Sequence, residues 1–157
     1  MKKFKYYILP LVFLVASSCG FKIENYSKLS NFAINNISLS GDKRINYKLK
    51  NGLLFKSNKN SEILLNLEFK TKKTKIIKEK NIKNEITKYK IDISVDVQFQ
   101  KVNSNEKKLF TVLSSSEFNV DSQYSQTINN EKKLIENLTT KITQKIFDKL
   151  VQEVNAL

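Results

Sequence analysis

The stretch "YKIDISVDVQFQ", residues 89–100, constrains this chain more than any other. Tyr89, Ile91, Ile93, Val95, Val97 and Phe99 alternate without a fault with Lys90, Asp92, Ser94, Asp96, Gln98 and Gln100. Side chains along a β-strand point to opposite faces in turn, so this period of two predicts a strand with one buried and one hydrated face. A half-apolar strand is stable only within a sheet whose apolar side is covered, and the flanking sequence supplies both the neighbours and the cover.

Upstream, "EILLNLEF" places Ile63, Leu65, Leu67 and Phe69 on one face, and Thr71, Lys73, Lys75 and Ile77 carry the same phase into a long charged strand. Downstream, "NSNE" at 103–106 reads as a hairpin turn, and "KLFTVLSSSEFNV" returns as a strand that grows polar toward Ser114–Ser116. These three strands form an antiparallel meander. A further strand precedes them in "FAINNISLSG", where Phe32, Ile34, Ile37 and Leu39 predict an irregularity near Asn35 and Asn36, with Ser40 and Gly41 ending it.

Asp42 is placed to cap a helix running to about Asn51, with Ile45, Leu49 and Leu53 as its apolar stripe. Asn51 and Gly52 mark either the end of that helix or a close packing contact. From Ile128 to Val154, Leu134, Leu138, Ile142, Ile146, Leu150 and Val154 recur every four residues, widened by Ile135, Phe147 and Val151. This is a long amphipathic helix, and a spacing of four drifts round the helix in the way that suits packing across a twisted sheet. A sheet with one apolar face and two striped helices can satisfy one another only by stacking. The expected fold is an α+β two-layer sandwich, with two helices packed on one face of a four-stranded, mainly antiparallel sheet, in a single domain over residues 30–157. Lys90, Asp92, Ser94, Asp96 and Gln98 are then left on the open face, either as plain solvated surface or as a surface that docks in a polar cavity.

The first residues follow different rules. Lys2, Lys3 and Lys5 precede an apolar run from Tyr6 to Ala16, and Ala16, Ser17 and Ser18 lead to Cys19, the only cysteine. A run this short falls below the ~20 residues that a spanning helix needs, so residues 1–18 read as a lipoprotein signal peptide. Small residues directly before cysteine suit the enzyme that cleaves ahead of a diacylglyceryl-cysteine. Cys19 is therefore expected to be the acylated mature N-terminus, holding the protein to a membrane, with residues 19–29 as a tether. Gly20 favours the outer membrane, by resemblance to bacterial lipoprotein sorting. The other reading of these residues is ordinary secretion with a free thiol.

The chain has 28 Lys and Arg against 15 Asp and Glu, no histidine, and lysine at 27 of the 28 basic positions. Without histidine the commonest general base and metal ligand is missing, and a lipidated Cys19 offers no thiol, so an enzyme is not expected, nor a cofactor or metal. An AT-rich genome would also give abundant lysine, but would spread it evenly. Instead, residues 43–90 hold 15 Lys and Arg against four Glu, whereas residues 91–157 hold eight Lys against nine acids. This concentration favours an anionic partner. Nucleic acid is not that partner, because an exported chain does not meet it and no aromatic residue interleaves the lysine cluster as a stacking platform would require.

Cys19-Gly20-Phe21, a strand, a helix ending in "LKNGLLF" (Leu49–Phe55), the alternating "KYKIDISVDVQF" (Lys88–Phe99) and a helix ending in "QKIFDKL" (Gln144–Leu150) together resemble the lipopolysaccharide-assembly lipoprotein family, LptE. The resemblance covers nearly all of the chain after Cys19, in order. It implies two helices over a four-stranded sheet, a place inside the outer-membrane barrel LptD as plug and assembly partner, and help in delivering lipopolysaccharide to the outer leaflet. It also implies a basic lipopolysaccharide contact near the hairpin between the second and third strands. The corresponding "KEKNIKNEITK", residues 78–88, makes Lys80 and Lys83 the candidates, with Lys72, Lys73, Lys75 and Lys78 in support. Near the start of the last helix, where a second basic contact would fall, the chain has Thr127 and Ile128. A different expectation from the same residues is a lipid-anchored periplasmic binding or scaffold module of the cell envelope, unrelated to lipopolysaccharide.

Overall fold

The structure is a computed structural model, and it describes residues 31–156; the signal segment, Cys19 and the tether lie outside the described residues. The element order is β1 (Ala33–Gly41), α1 (Lys43–Lys56), β2 (Leu64–Lys80), β3 (Ile86–Lys101), β4 (Lys107–Asn119) and α2 (Tyr124–Asn155). The four strands lie side by side in sequence order, with β1 parallel to β2 and the β2–β3–β4 meander antiparallel. The sheet is mixed and mainly antiparallel, as expected. The single parallel pair exists because α1 carries the chain back over the sheet before β2 begins.

The alternation in β3 sorts its residues as the sequence predicts. Ile91, Ile93, Val95 and Val97 are fully buried, whereas Lys90, Asp92, Ser94, Asp96 and Gln98 are half-buried on the other face. Leu65, Leu67 and Phe69 of β2 and Phe110, Val112 and Phe118 of β4 share the buried face, and the stripes of both helices close over it. Ile45, Leu49 and Leu53 come from α1, and Leu138, Ile142, Ile146, Phe147, Leu150 and Val154 from α2.

The irregularity expected in β1 is a bulge between Ile34 and Asn36, where the register with β2 shifts and Asn35 Nδ2 donates to Asn66 Oδ1 at 2.9 Å. β1 stops at Gly41, whose φ of +94° favours glycine and which packs against β2 so tightly that a Cβ would lie 1.9 Å from the Thr71 carbonyl oxygen. Asp42 caps α1, its Oδ1 accepting from the N–H groups of Arg44 (3.0 Å) and Ile45 (3.1 Å). The helix runs past Asn51 to Lys56. Gly52 is therefore the close-contact alternative and not the end: a Cβ there would meet Thr143 Cγ2 of α2 at 2.8 Å. α2 begins one turn before Ile128, at Tyr124, and Thr127 is buried where it stitches the β4–α2 connection, its Oγ1 accepting from Asp121 N–H at 2.8 Å.

Candidate functional site

The β2–β3 hairpin is long, and its outer half projects its lysines in three directions. β2 continues to Lys80 and β3 starts at Ile86. The turn between them is fixed by Asn81. Its carbonyl accepts from Asn84 N–H (2.9 Å), its N–H donates to the Glu85 carbonyl (2.9 Å), and its Oδ1 accepts from the N–H groups of Lys83 (2.9 Å) and Glu85 (3.0 Å). Asn84 takes φ +63°, the left-handed conformation that asparagine tolerates better than most side chains. A rigid tip results, with Ile82 fully exposed on it.

At this tip Lys80 donates to Asn84 Oδ1 at 2.9 Å, while the Lys83 ammonium has no partner among the described residues. Lys78 and Lys88 are matched by acids: Lys78 Nζ lies 3.8 Å from Glu117, and Lys88 Nζ 2.6 Å from Glu79, which holds the Lys88 ammonium above the usual lysine range. Lys80 and Lys83 are therefore the two tip cations not neutralised by a carboxylate.

The supporting lysines do not join them in one patch. Lys72 pairs across the sheet with Ser94 and so shares the open polar face. Lys73 and Lys75 stand opposite Ile93 and Ile91 and point to the helix side. There Lys73 Nζ reaches Asp42 at 3.3 Å, and Lys75 Nζ reaches Glu131 of α2 at 2.6 Å while lying over the Tyr89 ring, 4.2 Å from its centroid. Burial would raise the Asp42 carboxyl, but the Ile45 N–H, the Lys73 ammonium and the Arg44 N–H outweigh it and hold the group below its ordinary value. These two lysines fasten the base of the hairpin to α1 and α2.

The open sheet face is a lattice of hydrogen-bonding groups. Asp92 is held below the usual carboxylate range by the Ser115 hydroxyl and then by Lys90, whose Nζ lies 2.9 Å from its Oδ1. That oxygen is closed off from solvent, and the ammonium is its charge partner without hydrogen-bond directionality. Asp96 accepts from the Thr111 hydroxyl at 2.8 Å. Ser94 and Gln98 complete the row, opposite the exposed Leu113 and Leu109 of β4. Among the described residues no helix covers this face.

On the other side of the sheet, Arg44 and Lys132 were not singled out by sequence reasoning. They line a cleft of about 180 Å³ between α1 and α2, with Asp42, Ile45, Lys48, Lys73, Ile135, Glu136 and Thr139. The one available signal was that Arg44 is the sole arginine among 28 basic residues. Among the described residues no group of three or more acidic, histidine or cysteine side chains could hold a metal ion, and no helix is long and apolar enough to cross a membrane.

The fold of this chain is similar to that of solved bacterial lipoproteins. It is similar to rare lipoprotein B from Shewanella oneidensis (TM-score 0.59, 15% identity, 78% of this chain and 98% of that one). It is equally similar to a lipoprotein candidate from Caulobacter crescentus (TM-score 0.59, 15% identity, 84% of this chain and 96% of that one). At this identity the likeness concerns the fold. No family model and no curated protein sequence matches the chain.

Proposed function

We propose that this protein is an LptE-like lipoprotein, a non-enzymatic plug and assembly partner of an LptD-type outer-membrane β-barrel that helps insert lipopolysaccharide into the outer leaflet. The observation that carries the reading is the polarity of the domain. β1 begins at Ala33, paired with Leu64 at one end of β2, and Lys80 and Lys83, the tip cations without a carboxylate partner, lie at the other. β2 has 17 residues, which at about 3.3 Å each span ~55 Å, compared with ~40–45 Å for a bilayer with its headgroups. An acyl anchor on Cys19, on the inner leaflet, would hold the β1 end at the periplasmic mouth of a barrel and let the basic tip reach the level of the outer leaflet.

The open face supports the same reading. A barrel lumen is polar, and the row Lys90, Asp92, Ser94, Asp96 and Gln98 offers it hydrogen bonds beside the exposed Leu109 and Leu113 of β4. Lysine ammonium groups engage phosphates as point charges, so Lys80 and Lys83 are the proposed lipopolysaccharide contacts. Affinity purification of the full chain from solubilised outer membranes, followed by mass spectrometry, tests the partnership. Recovery of a large outer-membrane barrel in stoichiometric amount supports it. A protein recovered free of any barrel overturns it and favours an anchored periplasmic binding or scaffold module.

A further inference from the structure

We propose that the cleft between α1 and α2 binds a second ligand, an organic phosphate carrying an aliphatic chain, with Arg44 and Lys132 holding the phosphate and Ile45, Ile135 and Thr139 receiving the chain. This site is remote from the hairpin tip, and its proposal does not rest on the lipopolysaccharide reading.

The charge of the cleft selects the headgroup. Of its six charged residues, Asp42 is paired with Lys73 at 3.3 Å and Glu136 is paired with Lys48. Lys48 holds the Glu136 carboxyl below its usual value, so both acids stay ionised and matched. Arg44 and Lys132 are left with no carboxylate among the described residues, which gives the cleft an excess of two positive charges, that of a phosphate monoester dianion. The Arg44 and Ile45 N–H groups in the first turn of α1 are spent on the Asp42 side chain, so the attraction is assigned to the two side chains and not to the helix terminus. Arginine adds a planar fork that matches a phosphate at two points, which lysine cannot do.

The floor selects the rest of the ligand. Ile45 is buried, Ile135 half-buried, and Thr139 has its hydroxyl committed to the Ile135 carbonyl at 2.7 Å, so the floor presents no free polar group. The two helices run side by side in the same direction, with Lys48 beside Glu136 and Lys56 beside Gln144. Beyond the Lys48–Glu136 bridge a second depression of about 150 Å³ continues the groove past Gly52, Thr139 and Thr143. A cationic mouth leading to an apolar furrow fits an amphiphile lying along the helices.

The test is equilibrium dialysis of the full chain, held in a nonionic, phosphate-free detergent, against butyl phosphate, inorganic phosphate and butanol, with protein-free detergent as the blank. Burial of the butyl chain should make butyl phosphate bind at least about tenfold more tightly than inorganic phosphate, and butanol should not bind measurably. The double variant Arg44→Gln and Lys132→Gln should lose at least about tenfold in butyl phosphate affinity, Arg44→Lys should lose less, and Lys80→Gln with Lys83→Gln should lose nothing. Circular dichroism melting of each variant separates lost binding from lost folding. Equal binding of the two phosphates, or unchanged binding in the Arg44 and Lys132 variant, overturns the site. A loss confined to the Lys80 and Lys83 variant overturns it too, and assigns the phosphate to the hairpin tip.

Discussion

Thr71 should matter far more than its exposed lysine-rich surroundings suggest. It is buried at the point where β1, α1 and β2 meet. Its Oγ1 accepts from Asp42 N–H at 2.9 Å and lies 2.9 Å from Asn46 Oδ1 and 3.1 Å from the Ser40 carbonyl, either of which can take its one proton. Thr71→Val conserves the shape and removes only the oxygen. The Ser40 carbonyl would still accept from Asn46 Nδ2 at 3.1 Å, but the Asp42 N–H and Asn46 Oδ1 would lose a buried partner. Each of the two orphans costs about 1–3 kcal/mol, and the extra methyl returns about 1 kcal/mol, so the net loss should be about 1–5 kcal/mol. Thr71→Ser keeps the oxygen and should cost only about 1 kcal/mol for the missing methyl. Thr74→Val, on the open face, should stay within about 0.5 kcal/mol. Urea titration of the full chain in a nonionic detergent, followed by far-ultraviolet circular dichroism, gives all three values. A loss from Thr71→Ser equal to or larger than that from Thr71→Val would refute the hydrogen-bonded junction and leave packing as the role of Thr71.

Other outcomes follow from the same geometry. Val95→Asp, which buries an unpaired charge, should cost several kcal/mol, whereas Asp96→Asn on the open face should cost less than about 0.5 kcal/mol, and equal losses in denaturation would remove the assignment of faces in β3. Gly52→Ala should destabilise despite a helix-propensity gain of about 1 kcal/mol, because its Cβ would meet Thr143 Cγ2; adding Thr143→Ser should restore the gain, and a stabilising single variant would contradict the close approach. The Asp42 carboxyl is depressed in the folded state, so its charge contributes stability above the ordinary value of 3.8 and loses it as pH falls through the lower folded value. The stability gap between wild type and Asp42→Asn should therefore shrink in acid; a gap that widens there would give the shift the wrong sign. Replacing Lys80 and Lys83 with Glu should weaken lipopolysaccharide binding far more than replacing Lys141 and Lys145, and the wild-type affinity should fall with salt; matching losses would mean that net charge alone governs binding.

The parts of the fold with an unbroken period were legible in the sequence. The alternation of β3 buries Ile91 to Phe99 on one face and the four-residue stripe of α2 buries Leu138 to Val154, with Tyr89 and Leu134 half-buried at their outer ends, because periodicity there reports one uniform environment along most of the element. The bulge at Asn35 was legible because the apolar phase breaks between Ile34 and Ile37, and the cap at Asp42 because aspartate carries local hydrogen-bonding chemistry of its own. The end of α1 was not decided by sequence, because a glycine that stops a helix and one that lets another helix approach look alike until Thr143 is in place. The lysine cluster was legible as a cluster but not as geometry. The phase of β2 already put Lys73 and Lys75 on the apolar face, yet their partners, Asp42 and Glu131, come from remote elements, and only their pairing separates those two fastening lysines from Lys80 and Lys83.

The proposed docking of the domain within a barrel is tested most directly by photo-crosslinking in cells. A photoreactive amino acid at Ser94 on the open sheet face should form an adduct with a large outer-membrane barrel, and one at Ile82 on the tip should form an adduct with lipopolysaccharide. Position 50, on the exposed side of α1, serves for comparison. Barrel adducts from Ser94 and lipopolysaccharide adducts from Ile82 are the result the account predicts. Absence of a barrel adduct at Ser94, with lipopolysaccharide adducts no more frequent at Ile82 than at Lys50, would contradict it.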